Sequence, residues 1–382
     1  MSKVGVADLT LHSGYAPAWL INRMIKLARS LLLIMVDEYG LNGILNRLSN
    51  PFFFQACSNV LGFDWDSSGS TTVTCGVLKQ ALKEVDLGLK VAGGKGKYSL
   101  LTPKEIDEIG CLLNLSSDET FKIKYASRMV AKIDNAAIQA GYQLYHHSIF
   151  ISKEGDWTVI QQGMNPEFKA ARRYHWFSSV IKSFIVEPHR GIISDKIHDK
   201  ALNMTAKESE EARKISVELI NEGVNRLKRI YASLTPQKPL TEFMFKLKDD
   251  LELSVYNAYS LKLKDFDWKI IEKAHQLEPQ NYEELLAIQG VGPSTIRGLA
   301  LISELVFGAS PSWKDPAKYC FAFGGKDGVP FPIDKKAMDE AIKFLEEAVN
   351  KAKLGDKERY NALRKLAEWR MKLEYQSFNA RL

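Results

Sequence analysis

The stretch from Tyr282 to Gly308 constrains the chain more than any other. It reads Tyr-Glu-Glu-Leu-Leu-Ala-Ile-Gln-Gly-Val-Gly-Pro-Ser-Thr-Ile-Arg-Gly-Leu-Ala-Leu-Ile-Ser-Glu-Leu-Val-Phe-Gly. Leu285, Leu286 and Ile288 give the apolar side of a first short helix. Leu299, Ile302, Leu305 and Val306 fall at helical spacing on a second. Between them Gly290-Val291-Gly292 must reverse the chain, which glycine permits by reaching positive φ and by letting another backbone come close. Pro293 then falls in the first turn of the second helix, where its missing N–H costs nothing. Free N–H groups at a positive helix end would face outward from a loop with little side chain, a geometry suited to a phosphate. The same residues would also serve as a glycine-capped joint between two core helices.

At these residues the chain resembles the helix-hairpin-helix family of DNA-binding elements, which grip a backbone phosphate without reading bases. Gly290, Val291, Gly292, Ser294 and Thr295 carry the pattern, and Arg297 follows one turn on. The resemblance implies a DNA partner. Further along, Pro332-Ile333-Asp334 adds the pattern of the helix-hairpin-helix DNA glycosylases. In that family the aspartate matched by Asp334 caps a helix beside the flipped nucleotide and stabilises the cationic sugar. Ser294 stands where bifunctional members carry a Schiff-base lysine, so a lyase step is not implied. The connection from Gly308 to Pro332 is also longer than in compact members. Asp334 equally suits a plain N-cap for a helix carrying Ala337, Met338, Ile342 and Leu345.

Along the rest of the chain, Val4 to His12 alternates as a strand with Asp8, Thr10 and His12 on one face. Pro17 opens an amphipathic helix through about Tyr39. Thr102 with Glu105, and Thr205 with Glu208, have the spacing of capping boxes. A helix over about 119–139 carries Arg128, Lys132 and Asp134. Two strands, 142–152 and 157–163, form a hairpin around Lys153-Glu154-Gly155-Asp156. After residue 205 the chain reads as nearly all helix, ending in a charged amphipathic helix near 357–376. At 382 residues two or three domains are expected. The expected class is α+β: a mixed α/β domain over 1–198, then an all-α helix-hairpin-helix domain over 199–382.

Several polar constellations could carry chemistry. With Ser152 opposite Trp157, His147 would face Gln162 and Ser148 would face Gln161. Histidines and glutamines on a strand, near Arg172 and Arg173, suit a phosphodiester site. There an imidazole such as His146 or His147 moves protons and the arginines hold the anion. They suit equally the satisfaction of buried backbone groups. A divalent metal, Mg or Mn, would need converging carboxylates, for which Asp8, Asp64 and Asp134 are candidates, with Asp66 beside them. Asp64 to Gly69 opens like a calcium loop, but its twelfth position is Cys75. Gly93-Gly94-Lys95-Gly96-Lys97 lacks the P-loop spacing, yet its N–H groups with Lys95 and Lys97 could wrap a phosphate.

The net charge of +6 favours a polyanionic partner. Four scattered cysteines with no C-x-x-C pair indicate neither a zinc site nor a disulfide framework. No secretory start or membrane-length apolar run is present, so a cytoplasmic location and no membrane partner are expected. As a whole the chain resembles an archaeal and thermophile family of unknown function. The resemblance rests on Gly5-Val6-Ala7-Asp8 with His12, Phe63-Asp64-Trp65, the 91–97 loop, Tyr145-His146-His147, Gln161-Gln162-Gly163-Met164, Ala171 to Trp176 and Gly324 to Gly328. It implies a DNA-related role. The reading is a repair-type, structure-directed DNA nuclease. The alternatives are a glycosylase using Asp334 and a non-catalytic DNA-binding or scaffold protein.

Overall fold

The computed structural model describes residues 18–62, 69–194, 196–234, 266–317, 319–320, 335–352 and 354–379. Asp8, His12, Asp64, Asp66 and Asp334 lie outside the described residues, as does the strand expected over 4–12. Helix α1 (Ala18–Ser49) runs past Gly40, which breaks its regularity at φ 67°. Asn50 starts α2 (Pro51–Val60): its side chain accepts from the N–H groups of Phe52 and Phe53, and Pro51 occupies the first turn. Helix α3 (Gly69–Glu84) follows and leads into β1 (Leu89–Lys95). A 3-10 turn, Gly96–Leu101, then leads into the helices α4 (Thr102–Leu112) and α5 (Ser117–Lys132).

Strand β2 (Ile138–Gln139) comes after α5. Strands β3 (Gln143–Ser152), β4 (Trp157–Asn165), β5 (Ala170–Phe177) and β6 (Gly191–Ser194) then pair antiparallel in sequence, with β1 on the outer edge of β3. Strand β7 (Leu202–Asn203) pairs with β2 apart from the main sheet. Helices α6 (Glu210–Asn221), α7 (Val224–Leu234), α8 (Trp268–Gln276), α9 (Tyr282–Ala287) and α10 (Pro293–Phe307) follow. Strand β8 (Tyr319–Cys320) joins the sheet parallel to β6, and α11 (Lys335–Lys351) and α12 (Asp356–Asn379) end the chain.

Period-two alternation gives the sheet two buried faces. Ile149, Val159 and Trp176 face a core shared with α4 to α10, which includes Val130, Leu227, Leu286 and Ile296. Phe150, Ile160 and Phe177 face a second core shared with α1 to α3 and the returning α11 and α12, which includes Phe54, Leu78, Leu345 and Leu366. The mixed α/β class therefore stands in its coarse form. The boundary expected near residue 198 falls inside both cores, because helices of each half cover one central sheet.

Three local expectations change. The strand hairpin pairs Ile151 with Trp157, His147 with Gln161 and His146 with Gln162, one residue off the expected register. Gly155, at φ +81°, lets a three-residue loop close by a hydrogen bond from the Ser152 N–H to the Asp156 carbonyl, so Asp156 joins the ladder. The Thr102–Glu105 box does not form, because Glu105 accepts instead from the Gly93 N–H at 2.6 Å and from Lys79 at 2.7 Å. Nor does the Thr205–Glu208 box: Thr205 turns back on the Asn203 side chain, and the helix after it is split into α6 and α7 at Gly223. The capping box that does form is Ser116 with Glu119.

Gly93 is the tightest point of this construction. It sits at φ +91°, and a Cβ there would lie 2.2 Å from the His147 carbonyl oxygen. Gly96, at φ +58°, has open space around the same position. Gly93→Ala should therefore cost about 2–4 kcal/mol of stability, through backbone strain plus a clash with the next strand. Gly96→Ala should cost only about 1 kcal/mol. Thermal unfolding of the two variants against the parent checks the contrast.

Candidate functional site

The loop between α9 and α10 is built as the sequence leads one to expect, with one difference in detail. Gly290 is exposed at φ +102°, and a Cβ there would press on Ile270 at 2.9 Å. Gly292 is extended, with φ −142° and ψ −167°, so its backbone does not itself require glycine. Its missing side chain matters differently. As N-cap of α10 it offers nothing to the first-turn donors, and Pro293 has no N–H, so Ser294 and Thr295 present uncapped N–H groups. Ser294 is exposed and Arg297 half-buried, whereas the side chains of Val291 and Thr295 point into the core.

A residue not assigned to the site from the sequence holds this loop. Lys132, on the last turn of α5, donates to the Ile288 carbonyl at 2.8 Å and to the Val291 carbonyl at 2.5 Å. Gln139 on β2 donates to the Pro293 carbonyl at 2.9 Å, and the Arg297 guanidinium reaches its Oε1 at 3.4 Å. The hairpin is thus seated on the end of α5 and on β2. Burial, and then the guanidinium of Arg128, push the Lys132 ammonium down to about 8. Exposed Arg128 acts electrostatically on Lys132, and Arg297 lies in the early turns of α10. Contacts spanning 156 and 159 positions identify Lys132, and no local spacing signals it.

Immediately after Lys132 the chain takes one π-helical turn, Ile133–Ala137, and buries Asp134 completely. Its Oδ2 accepts from Gln161 Nε2 at 2.5 Å and Trp176 Nε1 at 2.9 Å, and its Oδ1 from His189 Nε2 at 2.5 Å. A carboxylate can only accept, so Gln161 must turn its amide nitrogen to Asp134 and its oxygen to His147. His147 Nδ1 then donates to Gln161 Oε1 at 2.7 Å, and its Nε2 accepts from Ser127 Oγ at 2.8 Å. Burial lowers the His147 pKa. Every hydrogen bond in the chain points toward Asp134. Both oxygens of this expected metal ligand are occupied by N–H donors. Among the described residues no group of three or more His, Cys, Asp or Glu converges as a metal site.

His146 and His147, expected in one site, lie on opposite faces of the sheet because they are consecutive in a strand. His146 belongs to a polar row crossing four strands, Lys95–His146–Gln162–Arg173, under α2 and α3. Its Nε2 meets Ser148 Oγ at 3.1 Å, its buried Nδ1 has no partner, and burial lowers its pKa to about 3. Gln162 donates to the Tyr145 hydroxyl. Arg172 and Arg173, expected to hold an external anion, are both buried. Arg172 pairs with Asp315 at 2.6 Å and Arg173 donates to Gln55 and Thr71. Lys95 and Lys97 are exposed at the outer edge of the row.

The chain matches over residues 5–333 the family described as a protein of unknown function, DUF763, and it belongs to that family. No curated protein and no solved structure matches it. Among the described residues no helix is long and apolar enough to cross a membrane.

The Asp134 network supports a stability prediction. Asp134→Asn keeps the shape but turns an N–H₂ group toward donors that need an acceptor. Leaving buried N–H donors without an acceptor in this way should cost about 2–3 kcal/mol. Denaturant unfolding checks it, and a loss below ~1 kcal/mol would show that the carboxylate does not tie the sheet to α5.

Proposed function

We propose that the protein docks on the phosphate backbone of DNA through the α9–α10 hairpin, as the anchoring step of a repair-type phosphodiester hydrolase that acts on DNA structure rather than sequence. The observation that carries this reading is the seat of Lys132. Its ammonium lies against the two carbonyls that close the hairpin, beside a helix end with no capping side chain. Two chemically different sources of positive potential, an ammonium and uncapped N–H groups, thus lie side by side at a helix end whose N-cap is glycine. A phosphate diester fits that chemistry, and backbone amides that meet phosphates carry no base preference.

The hydrolytic half of the proposal rests on the polar row from exposed Lys95 to buried Arg173. A row of polar groups across a sheet gives up apolar packing, and His146 within it keeps an unused nitrogen. His146 is neutral at ordinary pH, so it serves there as a hydrogen-bonding group rather than as an efficient base. The two other readings remain outcomes of one assay. With labelled DNA, metal-dependent strand cuts abolished by EDTA support the hydrolase. Alkali-labile sites would replace it with the Asp334 glycosylase, and retention without product would leave a DNA-binding or scaffold protein.

Docking itself has a pH signature. Lys132 titrates near 8, so its charge is present below that pH and lost above it. Affinity for any duplex should therefore fall as pH rises from 7 to 9, and it should fall with salt. Lys132→Met should weaken binding by about tenfold, reduce the salt slope by about one and flatten this pH dependence. Fluorescence-anisotropy titrations at several pH values and salt concentrations measure all three. Equal affinity and slope in parent and variant would reduce the hairpin to a structural joint.

A further inference from the structure

The 3-10 turn Gly96–Leu101 holds three large apolar side chains in water: Tyr98 is 54% exposed, Leu100 80% and Leu101 47%. The turn itself is firmly built. Ser99 Oγ donates to the Gly96 carbonyl at 2.7 Å, and Thr102 Oγ1 donates to the Ser99 carbonyl at 2.7 Å. Just before it, Glu105 and Lys79 clamp both backbone groups of Gly93. A rigid turn with outward apolar tips forgoes burial that a loop this short could have avoided with polar residues.

Its place in the fold says what the tips meet. Helices α4 and α5 run antiparallel: a Cβ on Gly110 would lie 2.5 Å from Thr120, and Asp107 holds Lys124 at 2.8 Å. Continued along the pair, that register sets the start of α4 beside the last turns of α5, which carry Arg128 and Lys132. A second path agrees with it. Gly93 abuts both the His147 carbonyl and Thr102, and His147 is bonded to Ser127. The turn therefore projects at the end of the molecule where the hairpin is seated. Lys95 precedes it and Lys97 lies within it, both exposed, with the Lys97 ammonium 5.7 Å from the Tyr98 ring centroid. The carboxylates nearest in sequence are engaged, Glu105 with Lys79 and Asp107 with Lys124.

Apolar tips set among cations, on a rigid turn next to a phosphate-gripping element, match duplex DNA better than a protein surface. Lysines follow the backbone while an aromatic and an aliphatic side chain replace a base neighbour in the stack. We propose that the 3-10 turn is a wedge that inserts Tyr98 and Leu100 between base steps of the DNA held by the hairpin. The proposal rests on the DNA-docking reading. It adds a means of sensing structure, since a nick, mismatch or junction gives up stacking at less cost than an intact duplex does.

The test uses the full chain and a short duplex carrying 2-aminopurine beside a nick. Saturating parent protein should raise the fluorescence at least threefold as the base unstacks. The Tyr98→Ser/Leu100→Ser double variant changes only exposed side chains, and circular dichroism verifies its fold. It should keep the salt slope of binding but leave fluorescence close to that of the free duplex. No rise with bound parent protein, or an equal rise with the variant, overturns the wedge and leaves hairpin docking intact. If the parent does not bind the duplex at all, the docking reading falls and the wedge falls with it.

Discussion

Asp134 is the point at which the two layers on one side of the molecule are joined. Three N–H donors meet its carboxylate from β4, β5 and the segment before β6. A buried carboxylate is costly unless it is fully hydrogen-bonded, and this one uses both oxygens. Because Asp134 lies on the π-helical turn that ends α5, the same bonds fix where that helix stops. Lys132 and Gln139, on either side of the turn, are thereby set at the height where they meet the hairpin carbonyls. The exposed loop owes its geometry to a group buried in the core.

This arrangement divides the polar residues of the sheet by purpose. On the α5 side, Ser127, His147, Gln161 and Asp134 form a closed chain in which each donor has an acceptor. Closed chains of this kind specify a structure and leave little free for chemistry. On the α2–α3 side the row through His146 keeps an unused buried nitrogen, and amide nitrogens of Gln55 and Asn59 on α2 are likewise without partners. Buried polar groups left open are unusual in a packed protein. Consecutive histidines in one strand thus belong to two different environments.

The hairpin was legible in the sequence because its signals are local: two glycines, a proline and two apolar stripes fix it within a few residues. The helix after Thr102 was equally visible, but its cap was not, since Glu105 answers to Gly93 and Lys79 rather than to the helix end. The pairing of His147 with Gln161 turned on whether a loop held three residues or four, and Gly155 decided it. Nothing nearby in sequence marks Lys132 as the support of residues 288–291, or Arg172 as the partner of Asp315. Those facts exist only once the chain has folded back on itself. Composition changes near residue 200, but each core holds residues from both sides of that point, which no local signal announces.

The shared cores also set a timetable for synthesis. All of β1 to β6 has emerged by residue 194, yet the helices that cover one face of the sheet continue to Phe307, and those that help cover the other begin at Lys335. At about 10 residues per second a ribosome takes on the order of ten seconds to supply the first set. During that interval Val159, Trp176 and their neighbours have only part of their cover. A half-clad sheet with apolar rows is the kind of intermediate that holdase chaperones bind and that pairs wrongly with its own copies. Yield in a foreign host should thus depend on translation speed and chaperone supply more than the stability of the finished fold suggests.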